Sequence, residues 1–296
     1  MKVIILYGGN SSEKEISIKT GIAVNKSLQD IFDTKMVLVG DNYRIIKDSY
    51  SNGDIVFNGL HGGYGENGEL QSFFEEEGID FIGSGSKACQ IAIDKIKSKK
   101  VAESLGCLVP YGRIVNDMSD FNDFSTPFIV KPNQEGSSVG FSQIACEKDF
   151  KDALKISKKH KNQLLAEEKI EGREITVPIL DGKALPIVEI IPHSRVYDYD
   201  SKYTVGKTDY IVPANIDIEV RNQIIDISEN IYHKIGCKHY SRIDYILNSN
   251  SDVYFLEINT YPGMTETSLF PKSAKSVQIS FKDLVVKLID LGKKID

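Results

Sequence analysis

Arg242, Asp244, Glu257 and Asn259 fall on two apolar, β-branched and aromatic runs, residues 240–247 and 253–259, separated by the polar stretch Asn248-Ser249-Asn250-Ser251-Asp252. Two such runs around a polar break predict a β-hairpin with a longer loop. Period-two alternation sets Arg242 and Asp244 on one face of the first strand, and Glu257 and Asn259 on one face of the second. If the register pairs them, two carboxylates, a carboxamide and a guanidinium share a patch. That hard, all-oxygen set suits Mg²⁺ bridging phosphates better than Zn²⁺. A solvated polar sheet face carrying an Arg–Asp pair is the other reading of the same spacing.

A second chemical feature is Lys131, at the end of the apolar run 128–131 and followed by Pro132-Asn133-Gln134-Glu135-Gly136-Ser137-Ser138-Val139-Gly140. Small residues after a cationic strand end expose backbone N–H donors, which is how loops cradle phosphate. The P-loop pattern G-x-x-x-x-G-K-[ST] does not occur. A third feature is the run 58–68, Asn-Gly-Leu-His-Gly-Gly-Tyr-Gly-Glu-Asn-Gly, in which glycine lets backbone come close to a ligand. A lone histidine such as His61 is more often a packed or surface residue than a catalytic one, and its glycine context is what singles it out.

The elements that must carry these residues follow from pattern. Residues 3–7 read as a buried parallel strand ending at Gly8-Gly9, and 55–57 as another. Asn10-Ser11-Ser12 can cap a following helix, placing Glu13 and Glu15 in its first turn, where they complement the dipole. No G-x-G-x-x-G follows the first strand. A lysine-rich helix is expected over 87–105, and amphipathic helices over 218–235, ending at Gly236, and 281–291, ending at Gly292. Residues 163–170 alternate as a strand; Glu167 is read there as surface charge. Residues 192–213 lack a hydrophobic face and gather Tyr197, Asp198, Tyr199, Lys202 and Tyr203, the composition of a mobile lid ordered by ligand.

The 296 residues are 41% hydrophobic and 26% charged, which suits a soluble chain of two or three compact units. A net charge of −6 offers no electrostatic case for nucleic acid or an anionic membrane. Cys89, Cys107, Cys146 and Cys237 are scattered, with no C-x-x-C, as expected of a chain in a reducing cytoplasm rather than a disulfide or zinc framework. No apolar run reaches the length of a membrane span.

Arg-Ile-Asp, Leu-Glu-Ile-Asn-Thr and Pro-Gly-Met-Thr resemble the metal-binding core of the ATP-grasp ligases, and Pro-Gly-Met-Thr-x-x-Ser-Leu resembles the D-alanine–D-alanine ligase family within them. Gly-Gly-Asn-Ser-Ser-Glu-Lys-Glu-Ile-Ser at 8–17, the histidine-glycine run at 58–68, Asp94-Lys95, Glu-Gly-Ser-Ser-Val-Gly at 135–140 and Tyr-Asp-Tyr-x-x-Lys-Tyr at 197–203 resemble further motifs of that family in the same order. Asn67 departs from it, standing where the family carries Asp.

The resemblance implies an α/β chain with α+β lobes: an ATP-grasp fold behind an N-terminal Rossmann-like parallel-sheet domain. Its three parts would be residues 1–85, a central lobe 86–172 and a C-terminal lobe 173–296. It implies ATP-dependent condensation of two D-alanines through a D-alanyl phosphate, for peptidoglycan precursors. A D-alanyl-D-serine or D-alanyl-D-lactate ligase, and a non-catalytic ATP-binding regulator, are the alternatives; Tyr203 goes with dipeptide rather than depsipeptide formation. Asp244, Glu257 and Asn259 would hold two Mg²⁺ ions, with Mn²⁺ able to substitute. ATP would meet Lys95, Lys131 and Lys202 at its phosphates, the loop Glu135, Ser137 and Ser138, Glu168 and Lys169 near adenine, and Glu174 at the ribose. Glu13, His61, Ser137 and Tyr203 would surround the first amino acid. Ser268 and Leu269 would take the second carboxylate, and Arg242 with the Gly263 N–H the oxyanion. The implied partners are D-alanine and ATP in a cytoplasmic homodimer, with neither nucleic acid nor membrane.

Overall fold

The computed structural model describes residues 1–117, 120, 124–136, 140–160, 163–194, 204 and 206–293. The first hundred residues alternate strand and helix: β1 (Lys2–Gly8), α1 (Lys14–Leu28), β2 (Asp33–Val39), β3 (Ile55–Asn58), α2 (Glu69–Glu77), β4 (Phe81–Ile82), α3 (Ser86–Ile93) and α4 (Lys95–Ser104). β1 to β4 form a parallel sheet in the order β2-β1-β3-β4. The unbroken apolar runs of β1 and β3 put these strands at the centre, covered on both faces, as parallel sheets require.

The expected helix over 87–105 is two helices. Asp94 leaves the helical region (φ −84°, ψ 101°) and its carboxylate accepts from Lys97 N at 3.2 Å, ending α3 and capping α4. An aspartate that can cap outcompetes helix continuation at that point. α1 also starts later than expected. Glu13 occupies its cap position rather than its first turn, and Ser11 Oγ accepts from Glu13 N at 3.1 Å without capping the helix itself.

The next strands are β5 (Gly112–Val115), β6 (Phe128–Pro132), β7 (Ser142–Ile144) and, after α5 (Glu147–His160), β8 (Leu164–Glu168). They make an antiparallel sheet, β5-β8-β6-β7. A larger antiparallel sheet, β12-β11-β9-β13-β14, follows. It is built from β9 (Arg173–Leu180), β11 (Val188–Pro192), β12 (Thr208–Ile211), β13 (Tyr240–Leu247) and β14 (Val253–Asn259), with β10 (Lys183–Ala184) pairing β9. α6 (Ile218–Ile235) ends at Gly236 in the left-handed conformation, as expected. α7 (Leu269–Ser276) and α8 (Phe281–Gly292) close the chain.

The cores link distant segments. α3 and α4 bury Ala88, Ala92 and Ala102 with Ile175, Val177, Ile243 and Phe255 of the larger sheet. α8 returns to the first sheet, burying Leu284, Val285, Leu288 and Ile289 with Val3, Ile5, Ile55 and Phe57. Leu288→Ala should therefore cost the fold about 2–5 kcal/mol, the range for a fully buried leucine truncated to alanine. Urea unfolding followed by circular dichroism reads it, and a loss under about 1 kcal/mol would mean that α8 does not support this core.

Candidate active site

β13 and β14 pair in the register the hairpin needed: Arg242 lies opposite Asn259 and Asp244 opposite Glu257. The four polar side chains therefore share one face, and Ile243 and Tyr245 turn the other way into the core. Alternation then breaks. Asp244 pairs Glu257 but Tyr245 pairs Phe255, so Leu256 is an extra residue. This bulge lets the sequence neighbours Leu256 and Glu257 both line a cavity.

Asp244 is buried and heavily bonded. Arg242 donates to both its oxygens, Nε to Oδ1 at 2.9 Å and Nη2 to Oδ2 at 2.8 Å; Thr176 Oγ1 donates to Oδ1 at 2.5 Å and Asn259 Nδ2 to Oδ2 at 3.2 Å. Glu257 is more open, one oxygen 3.2 Å from Lys95 Nζ. The donor set fits a hard divalent cation: two opposed carboxylates and a carboxamide, all oxygen. Among the described residues no group of three His, Cys, Asp or Glu could hold a metal by itself. Substrate oxygens would have to complete the shell, which is how Mg²⁺ is usually bound beside phosphates.

A cavity of about 740 Å³ opens between the two antiparallel sheets. Lys131 and Glu167 reach it from β6 and β8, Glu174 from β9, Ile246 from β13 and Leu256 from β14, and Lys95, Glu135, Glu168, Lys169, Asp244 and Glu257 also line it. α4 and the loop after β6 are latched together at its floor. Asn133 Nδ2 and Gln134 Nε2 donate to Asp94 at 3.0 and 3.2 Å, and Asn133 Oδ1 accepts from Ile96 N at 3.2 Å. These hydrogen bonds hold the Asp94 carboxyl below its usual range, against burial, which raises it. The latch lets Lys95 Nζ donate to the Glu135 carbonyl oxygen at 2.6 Å. At the rim Glu168 Oε1 accepts from Tyr111 N at 2.9 Å, and Lys169 pairs with Glu171 at 2.6 Å.

The reading of Glu167 as surface charge is wrong. It is 2% exposed, with one oxygen 2.7 Å from Lys131 Nζ and the other 2.9 Å from Lys99 Nζ. Burial raises its pKa, but the two ammonium groups outweigh that and hold it below the carboxylate range. Burial likewise works against the Lys131 ammonium, and Glu167 and Glu257 hold its pKa above the usual lysine value.

A second cavity, about 460 Å³, brings together Glu13, His61, Glu66, Arg242, Asn259, Gly263, Ser268 and Leu269. Glu13 is buried at the start of α1. Gly62 (φ +66°) lets the chain pass it, since a Cβ there would stand 3.0 Å from Glu13 Oε2. His61 sits between Thr20 Oγ1 at 2.9 Å and Glu66 Oε1 at 3.4 Å. Asn67 Oδ1 accepts from Glu69 N at 2.9 Å just ahead of α2, an Asx turn that Asp and Asn make alike, with Gly68 at the cap position. Ser268 stands at the cap position of α7 without bonding the helix N–H groups; its Oγ lies 2.8 Å from Thr265 Oγ1 and accepts from Thr265 N at 3.1 Å. Gly263 lies so close that a Cβ would come within 3.1 Å of Ser268 Oγ. The free N–H groups and dipole of α7 thus face the cavity, a ready carboxylate site.

Ser137, Ser138, Lys202 and Tyr203, with residues 195–203 and 205 of the expected lid, lie outside the described residues, while 208–211 of that segment form β12 paired with β11 rather than loop. Gly136, next to Ser137, is near the second cavity: a Cβ on it would be 3.6 Å from Glu13 Oε2. Sequence reasoning passed over Thr176, Glu66, Lys99, Tyr261 and Lys272. The last two line the second cavity, where Lys272 Nζ lies 5.1 Å over the Tyr210 ring and burial lowers its pKa. The i, i+4 spacing of Lys95 and Lys99 was the one available signal, hidden among neighbouring lysines.

The family described as the D-ala D-ala ligase C-terminus matches residues 115–290. A D-alanine–D-alanine ligase of Haemophilus ducreyi is 37% identical over 98% of this chain and 98% of its own length. A D-alanine–D-alanine ligase of Bacillus anthracis, solved in complex with ATP, superimposes with a TM-score of 0.86 at 30% identity, covering 99% of this chain and 96% of that one. The VanG D-Ala:D-Ser ligase of Enterococcus faecalis gives 0.82 at 26% identity, with 98% and 99% covered.

Proposed function

Because this chain belongs to the D-alanine–D-alanine ligase family, as an ATP-dependent enzyme on the ATP-grasp fold that joins two D-alanines, we propose that the larger cavity takes ATP and the smaller one both amino acids. The observation that carries this division is Glu257, which lines both cavities and so stands where phosphoryl passes from nucleotide to amino acid.

A carboxylate does not condense with an amine at neutral pH because oxide is a poor leaving group. In the first step a carboxylate oxygen of the first D-alanine attacks the γ-phosphorus of ATP, and ADP leaves. In the second the amine of the other D-alanine attacks the acyl carbon, phosphate leaves and the nitrogen gives up a proton. Lys95 and Lys131 bind phosphate oxygens in this scheme, and Glu174 the ribose. Glu168 and Lys169 border the adenine. Asp244, Glu257 and Asn259 would hold Mg²⁺, which when bound neutralises charge on the transferring phosphoryl. Glu13, with His61 oriented by Thr20 and Glu66, receives the first ammonium. Ser268 and the α7 N-terminus hold the second carboxylate, and Arg242 with Gly263 N–H faces the oxyanion. Ser137, Ser138, Lys202 and Tyr203 keep their proposed places at the phosphates and the first substrate. Assembly as a homodimer in the cytoplasm belongs to the same proposal, and sedimentation tests the dimer.

Phosphate release from ATP tests the reading, with D-alanine, L-alanine, and D-alanine plus D-serine or D-lactate as arms. Release with D-alanine alone, giving a dipeptide, and its loss on chelating Mg²⁺ are expected; no release with D-alanine would overturn it. Glu13→Gln should raise the KM of the first D-alanine roughly ten- to hundredfold, since a charge-assisted bond to its ammonium is lost. The KM for ATP should hold. A variant shifting only the ATP constant would place Glu13 at the wrong substrate.

A further inference from the structure

Lys99 has no part in the chemistry so far, yet it is 5% exposed and charged. It lies one helical turn beyond Lys95 on α4, so both point from the same face. Its ammonium donates to the Phe255 carbonyl oxygen of β14 at 3.2 Å and stands 2.9 Å from Glu167 Oε1. That second contact is an ion pair by distance, off the line a hydrogen bond needs. Glu167 Oε2 holds Lys131 Nζ at 2.7 Å. A row Lys99–Glu167–Lys131 thus joins α4, β8 and β6 and touches β14 beneath the larger cavity.

Stability is a weak reason for such a row. Desolvating each ion costs several kcal/mol, and apolar replacements of similar volume often do as well. Its charge count is more telling. Glu167 and Lys131 alone would be a closed, neutral pair, with the lysine's charge spent on its neighbour. Lys99 on the other oxygen leaves the row one net positive charge, facing the cavity through Lys131. Burial pulls the Lys99 pKa down to about 8, with Glu167 opposing, so the ammonium is still mostly charged at neutral pH.

Resting on the nucleotide reading of that cavity, we propose that Lys99 is a positioning residue for ATP. Through Glu167 it fixes the Lys131 ammonium toward the triphosphate while leaving that lysine its charge.

The test is calorimetric binding of ATP and of adenosine to the wild type, Lys131→Met, Lys99→Met and the paired Lys99→Met/Glu167→Gln, with KM values alongside. Lys99→Met should weaken ATP about tenfold, the scale of one partly screened charge near the phosphates. Adenosine affinity and the KM for D-alanine should hold. Equal losses for ATP and adenosine, as a merely distorted site would give, overturn the proposal, and so does unchanged ATP affinity. The paired variant restores the single net positive charge of the row, so it should recover most of the ATP affinity; a loss as large as that of Lys99→Met overturns the charge argument. If Lys99→Met does not fold, Lys99→Gln, which removes the same charge and keeps a donor for the Phe255 carbonyl, is read by its criterion. Lys131→Met with undiminished ATP binding would overturn the nucleotide assignment itself, and this inference with it. Weakened ATP in Lys131→Met beside unchanged ATP in Lys99→Met sinks the inference alone.

Discussion

Glu257→Gln is expected to cut phosphate release by about a thousandfold or more, the several kcal/mol that charge stabilisation at a transferring phosphoryl is worth. The substitution keeps the shape of the side chain and one acceptor oxygen but removes the charge. The Glu257 side chain is 21% exposed and lines both cavities, so the fold does not depend on it. Its loss also frees Lys95, which sits 3.2 Å away and keeps its bond to the Glu135 carbonyl. The thermal midpoint should therefore move little. Near wild-type release at saturating Mg²⁺ would show that this hairpin is not the metal site.

Arg242→Met should lower kcat by roughly 10²–10³, the cost of losing one positioned oxyanion donor. Two effects coincide here. The guanidinium faces the second cavity, and its fork also fixes both oxygens of Asp244. Arg242→Lys keeps the charge without the bidentate geometry, so it should recover only part of the loss. Measuring kcat for both variants at saturating ATP and D-alanine decides the matter. A methionine variant within tenfold of wild type would remove Arg242 from the chemistry.

The sequence by itself determined the hairpin and the face each polar residue takes on its own strand. Alternation sets Arg242 with Asp244 and Glu257 with Asn259. The pairing of Arg242 with Asn259 and Asp244 with Glu257 rests instead on the bulge at Leu256, because the register running out from the turn would set Asp244 opposite Leu256. The buried parallel strands, the helix ending at Gly236 and the glycine run around His61 were legible for the same reason: each is a local pattern with a local physical cause. Asp94 could have been read as a cap, but a lysine-rich run of good helix formers masked it.

Only the tertiary structure decided what becomes of the charges. Glu167 looks like any strand-end carboxylate until β8 is laid between β5 and β6 and α4 closes over it. It is then buried against two lysines that lie 68 and 36 residues earlier in the chain. Likewise nothing local says that Glu257 separates two cavities, because one is bounded by β6, β8 and β9 and the other by α1, the glycine run and α7. Periodicity reports which way a side chain points from its own strand. What it points at depends on contacts between segments far apart in sequence, and those are fixed only when the sheets pack.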